Sequence, residues 1–199
     1  MTDVTTTSRS WRYGASALLT WANCITLARI AGVPLLILAM VQNRVAWSTL
    51  LLAFILAGSD GLDGIIARRH GVTRSGAFLD PLADKALVLG ALVTLVHQQV
   101  FWWVPVALIA LREFGISGYR SYWGRRGLAI PARRSAKAKT FVQELAVGLV
   151  LAPITASHLG IGRAVLWVAV AFTLVSGVQY LLDGRAAVTS MIAERARTT

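Results

Sequence analysis

Residues 59–85 read SDGLDGIIARRHGVTRSGAFLDPLADK. Asp60 and Asp63 stand at i, i+3, so they share one face of a helix, and Gly64 and Ala67 continue that face. Asp80 and Asp84 stand at i, i+4 on a second helix, with Gly76 one turn before Asp80. The segment between them is short and carries Arg68, Arg69 and Arg74. Two helices joined this way are expected to be antiparallel neighbours whose four carboxylates meet at one edge. Four bare carboxylates in one small site repel one another, which shifts their pKa values or forces the helices apart. Hard divalent cations remove that repulsion. Mg²⁺ and Mn²⁺ prefer oxygen ligands, and the chain has no His or Cys cluster suited to zinc. Two such ions about 3.5–4 Å apart are what phosphoryl-transfer sites use to clamp attacking and leaving oxygens. Small residues at Gly64, Ala67 and Gly76 let a phosphorylated ligand approach the helix backbones, and Arg68 can meet a phosphate.

The chain around this segment is apolar. Of 199 residues, 56% are hydrophobic and 15% charged, where a soluble domain carries about 25% charge. The mean hydropathy is +0.62. These values exclude a disordered chain, a coiled coil and an ordinary soluble enzyme. They predict an all-α polytopic membrane protein. Apolar runs near 22–41, 45–68, 79–97, 101–122, 138–156 and 162–182 predict six transmembrane helices. The second and fourth runs extend past the hydrocarbon region at their C-terminal ends. Residues 13–21, flanked by Trp11 and Trp21, predict a short N-terminal interfacial helix. The expected organisation is a cytoplasmic N-terminus and interfacial segment over 1–21, a six-helix domain over 22–184 and a cytoplasmic tail over 185–199.

Twenty Lys and Arg face nine Asp and Glu, a formal net charge of +11. In a soluble protein such an excess suggests nucleic acid; here it is read as loops on an anionic membrane face, with no nucleic-acid partner. The basic residues gather at the N-terminus, in the second-to-third and fourth-to-fifth connections and at the C-terminus. The other connections carry only Arg44 and Arg163. The positive-inside rule therefore places both termini and the aspartate cluster at the cytoplasmic face. A single cysteine, Cys24, excludes an internal disulfide and reads as a small packing residue.

The pattern D-x2-D-G-x2-A-R, seven residues, then G-x3-D-x3-D resembles the signature of the CDP-alcohol phosphotransferase family, where a spacer of eight is common. Asp60, Asp63, Gly64, Ala67, Arg68, Gly76, Asp80 and Asp84 fill its eight fixed positions. The resemblance implies a six-helix integral-membrane enzyme that transfers a substituted phosphate from a CDP-linked donor to an alcohol and releases CMP. It implies a dinuclear Mg²⁺ or Mn²⁺ site on Asp60, Asp63, Asp80 and Asp84, with Asp84 also the general base for the acceptor hydroxyl. It places Asp60, Gly64, Ala67, Arg68 and Gly76 around CDP. Relatives are often homodimers, so a second copy of the chain is an implied partner.

A narrower resemblance concerns the acceptor. REFGISGYR over 112–120, KAKTFVQ over 137–143, and Asn23, Thr26, Arg29 and Pro34 are similar to segments of bacterial phosphatidylglycerolphosphate synthases. These join CDP-diacylglycerol to glycerol 3-phosphate in the bacterial plasma membrane. Arg112, Arg120, Lys137 and Lys139 are then the cations expected to hold the acceptor phosphate. Against this stands the reading of the same cations as positive-inside excess binding anionic lipid heads. Glu113 is expected to pair with a neighbouring Arg rather than a metal. Two other acceptors fit the same chemistry, phosphatidylglycerol and inositol phosphate. A divalent-metal transporter is the rival from another class, because carboxylates inside a membrane also mark ion paths; the gathering of the acids at one edge argues against it.

Overall fold

The computed structural model describes residues 21–70, 76–126 and 135–198, with side chains over 24–59, 79, 81–126 and 139–191. Among the described residues there are six helices and no strand. They are α1 (Trp21–Asn43), α2 (Trp47–His70), α3 (Gly76–His97), α4 (Trp103–Arg125), α5 (Ser135–Leu151) and α6 (Leu159–Thr198). The expected interfacial helix over 13–21 lies outside the described residues, save for Trp21 at the start of α1.

The first four helices fall close to the apolar runs. The last two differ. α5 ends at Leu151 rather than near 156, because Pro153 supplies no backbone N–H and disfavours helix at Ala152. α6 runs past the apolar run through the expected tail segment to Thr198, 40 residues and about 60 Å long. Its C-terminal part, rich in Ala, Arg, Glu and Met, favours helix despite its charge.

α1 packs against α2 and α3, α5 against α6, and α4 against α6. Leu36 and Met40 of α1 and Leu92 and Leu95 of α3 are wholly enclosed at the first seam. Gly90 brings α3 close to α1: a Cβ there would meet Ile37 and Val33 at 3.4 Å, so this small residue serves packing within the chain. Large apolar side chains point outward at the same time. Phe54, Leu111, Phe114, Phe141 and Ile154 are all more than half exposed. Large apolar side chains exposed in this number mark surfaces that meet a membrane or another protein.

Two helical stretches, Cys24–Asn43 and Leu159–Met191, are long and apolar enough to cross a membrane, and Trp47–Ser59 of α2 is a shorter apolar stretch. Lys85 of α3, Arg112 and Glu113 of α4 and Lys139 of α5 turn into the bundle. Cys24 is exposed rather than packed inside, a correction to its sequence reading: on α1 it falls opposite the buried face that Thr26, Arg29 and Val33 share. Trp102 and Trp103 stand together, exposed, at the turn between α3 and α4, as interfacial anchors do.

Candidate active site

The motif divides between two helices. Asp60, Asp63, Gly64, Ala67 and Arg68 lie in the C-terminal half of α2, and Gly76, Asp80 and Asp84 in the first turns of α3. α2 and α3 pack on each other and only residues 71–75 separate them, so both halves of the motif stand at the same end of the bundle. The side chains of Asp60, Asp63, Gly64, Ala67, Arg68, Gly76, Asp80 and Lys137 lie outside the described residues. Asp84 is described. Its side chain is 40% exposed, and its Oδ1 accepts a hydrogen bond from Nη1 of Arg29 at 2.8 Å. Among the described residues no three His, Cys, Asp or Glu side chains come together as a metal site. Carboxylates at the four motif positions are an all-oxygen donor set of the kind Mg²⁺ and Mn²⁺ take.

Asp84 lies at the edge of a cavity of about 170 Å³ walled by α3, α4, α5 and α6. Four cations line it: Lys85, Arg112, Arg120 and Lys139. Three of the four expected acceptor-phosphate residues are thus brought together beside Asp84. They hold one another in place. Arg112 donates to Glu113 Oε1 and to Ser176 Oγ, both at 3.0 Å. Lys139 is ion-paired with the same Glu113 oxygen, and Lys85 donates to Ser117 Oγ. Arg120 Nε donates to Tyr180 Oη at 3.3 Å, and its guanidinium lies 5.4 Å from the Tyr180 ring centroid. Glu113 therefore pairs with Arg112, as its position suggested, and with Lys139 as well.

Burial bears on the two readings of these cations. Residues that answer only to the positive-inside rule sit in water at the headgroups. Lys139 is 6% exposed and the Arg112 side chain 10%. Arg112 Nε is buried with no hydrogen-bond partner among the described residues. Charges so placed are costly unless something anionic meets them. Glu113 offsets part of that charge, and Asp84 pairs with Arg29, so among the described residues the cavity lining carries an excess of positive charge. A phosphate dianion is the chemistry that excess fits, through charge-assisted and bidentate bonds.

Several lining residues were not singled out from sequence. Lys85 follows Asp84 directly. Ser117 lies between Glu113 and Arg120 on one face of α4, at i, i+4, i+7. Ser176 and Tyr180 line the cavity from the apolar α6 and, with the buried Thr173, make a polar stripe at i, i+3, i+7, a signal that helical periodicity could have exposed. Gly177 keeps that stripe close to α4: a Cβ there would stand 3.2 Å from Arg112 Cγ.

Residues 19–175 match the CDP-alcohol phosphatidyltransferase family. The chain belongs to that family. All eight motif positions lie inside the matched segment, while Ser176, Gln179 and Tyr180 of the cavity lie beyond it. The chain is 37% identical over 178 residues to a probable phosphatidylglycerophosphate synthase of Mycobacterium tuberculosis, covering 84% of this chain and 83% of that one. It is 37% identical over 177 residues to the CDP-diacylglycerol–glycerol-3-phosphate 3-phosphatidyltransferase of Bacillus subtilis, covering 79% and 91%. Over 169 residues it is 38% identical to the protein of the same name from Pectobacterium atrosepticum, covering 81% and 92%.

Proposed function

We propose that the protein transfers the phosphatidyl group of CDP-diacylglycerol to glycerol 3-phosphate, releasing CMP and forming phosphatidylglycerol phosphate. The names of its relatives support both substrates. The single observation that carries the acceptor assignment is the cavity, which sets Asp84 beside Lys85, Arg112, Arg120 and Lys139. A small phosphomonoester with a free hydroxyl matches that pairing: the cations take its phosphate, and its hydroxyl end reaches Asp84.

In the reaction the C1 hydroxyl oxygen of glycerol 3-phosphate bonds to the lipid-bearing phosphorus of the donor. The bond from that phosphorus to the oxygen of CMP breaks, and CMP leaves with the electron pair. The Asp84 carboxylate accepts the hydroxyl proton. Mg²⁺ or Mn²⁺ held by Asp60, Asp63, Asp80 and Asp84 supplies, when bound, positive charge for the diphosphate oxygens. Asp60, Gly64, Ala67, Arg68 and Gly76 form the CDP subsite, and Arg112, Arg120, Lys137 and Lys139 hold the acceptor phosphate. Catalysis is then mostly positioning and electrostatics.

The protein works in a bacterial plasma membrane as a six-span domain, with both termini and the active site on the cytoplasmic side. Six helices, an even number, and the gathering of basic segments at one end support this topology. Its partners are the two substrates, the bilayer and a second copy of the chain. The test is CMP release by purified protein in detergent with CDP-diacylglycerol and Mg²⁺ or Mn²⁺. Release that depends on glycerol 3-phosphate is expected. Release that depends instead on phosphatidylglycerol or inositol phosphate overturns the acceptor, and none with any acceptor overturns the transferase.

A further inference from the structure

Arg29 is the one charged residue of α1. Its side chain is wholly buried, at 0% exposure. A buried guanidinium persists only where its hydrogen bonds and charge are met. Two of those partners sit on two other helices. Nη1 donates to Asp84 Oδ1 of α3 at 2.8 Å, and Nε donates to Ser59 Oγ of α2 at 2.9 Å. Ser59 is itself fixed, because its hydroxyl donates to the Leu56 carbonyl at 2.7 Å and so turns a lone pair to Arg29. Ser59 is also the residue directly before Asp60. The rigid, planar guanidinium thus spans from the backbone neighbour of the first motif aspartate to the side chain of the last. Arg29 is absent from the cavity wall, so it does not act by binding the acceptor.

We propose that Arg29 is a positioning residue, which fixes the Asp84 carboxylate and, through Ser59, the separation of the two helices that carry the motif aspartates. The proposal rests on the transferase reading and goes beyond it, since the motif contains neither Arg29 nor Ser59. A base must be held in reach of the hydroxyl it deprotonates, and small misplacements are costly. A purely structural α1–α3 ion pair makes a different prediction: its loss lowers stability and leaves the turnover of the folded fraction intact.

The test compares wild type with Arg29→Met, Arg29→Lys and Ser59→Ala in detergent. Thermal melting verifies folding, and CMP release gives kcat and KM for each substrate. Expected for Arg29→Met is a kcat lower by about 10–100-fold, the usual effect of losing the group that orients a ligating carboxylate. Both KM values stay within about threefold, the mark of an interaction used in the transition state. Lysine can reach Asp84 or Ser59 but not both, so Arg29→Lys recovers part of the lost kcat, and Ser59→Ala falls between wild type and Arg29→Met. Because Arg29 acts through Asp84, adding Arg29→Met to Asp84→Asn costs little more than Asp84→Asn alone. A folded Arg29→Met with wild-type kcat overturns the proposal. If that variant does not fold, wild-type kcat in both Arg29→Lys and Ser59→Ala overturns it. An inactive wild type instead overturns the transferase reading, and the proposal with it.

Discussion

Asp84 meets a buried guanidinium on one side and a cation-lined cavity on the other. As the proposed base, it should not tolerate loss of its charge. Asp84→Asn is expected to cut CMP release by at least about 10²-fold, the lower end for a positioned base, with donor binding largely kept. Retention of more than about a tenth of the activity would remove Asp84 from that role. Arg120 tests the acceptor side. Arg120→Ala should raise the KM for glycerol 3-phosphate more than that for CDP-diacylglycerol, and equal effects on both would contradict a contact with the acceptor phosphate. The aspartates were legible because their spacing is local: i, i+3 and i, i+4 survive in a bare sequence. Arg112, Arg120 and Lys139 were legible through their segments. Arg29 was visible only as a residue of a familiar helix; nothing in α1 tells which way a lone arginine faces. Lys85, Ser176 and Tyr180 join the site through contacts between α3, α4 and α6, which no single helix encodes.

At the scale of elements, α6 carries more than its hydropathy shows: the helix continues through the charged segment after 184, and a polar stripe runs along its apolar part. It forms one wall of the cavity, and its glycines keep it close to α4. A Cβ at Gly184 would lie 2.7 Å from Tyr119, which stacks edge-on with Trp123 and Tyr180. Gly184→Ala is therefore expected to destabilise the protein by about 1–3 kcal/mol through overpacking. Gly160→Ala, on the same helix with nothing within 4 Å, is the control; there the gain in helix propensity, up to about 1 kcal/mol, should leave stability equal or higher. Thermal melting of both variants decides, and equal destabilisation would contradict the packing account. The turns were partly legible. Pro153 could have marked the end of α5, but the apolar residues around it extended the hydrophobic run past the true helix.

For the whole molecule, hydropathy and loop charge were enough to propose the number of helices and the direction in which they run. The inward turn of Lys85, Arg112, Glu113 and Lys139 was not evident, because an average over a span cannot separate a lipid face from a cavity face. The proposed six-span topology places the turn between α5 and α6 outside the cell and the C-terminus inside. In a Cys24→Ala background, Ser157→Cys, which is exposed in that turn, should react with a membrane-impermeant maleimide on intact cells, whereas Thr198→Cys should react only after lysis. The reverse pattern would invert the topology and put the cavity on the wrong side for a soluble phosphate ester. The most direct measurement identifies the lipid product. Purified protein in lipid nanodiscs would receive CDP-diacylglycerol, Mg²⁺ and isotope-labelled glycerol 3-phosphate, with CMP and lipids quantified together by mass spectrometry. Labelled phosphatidylglycerol phosphate formed one-for-one with CMP is expected; phosphatidic acid as the sole lipid product, with water as the acceptor, would contradict it.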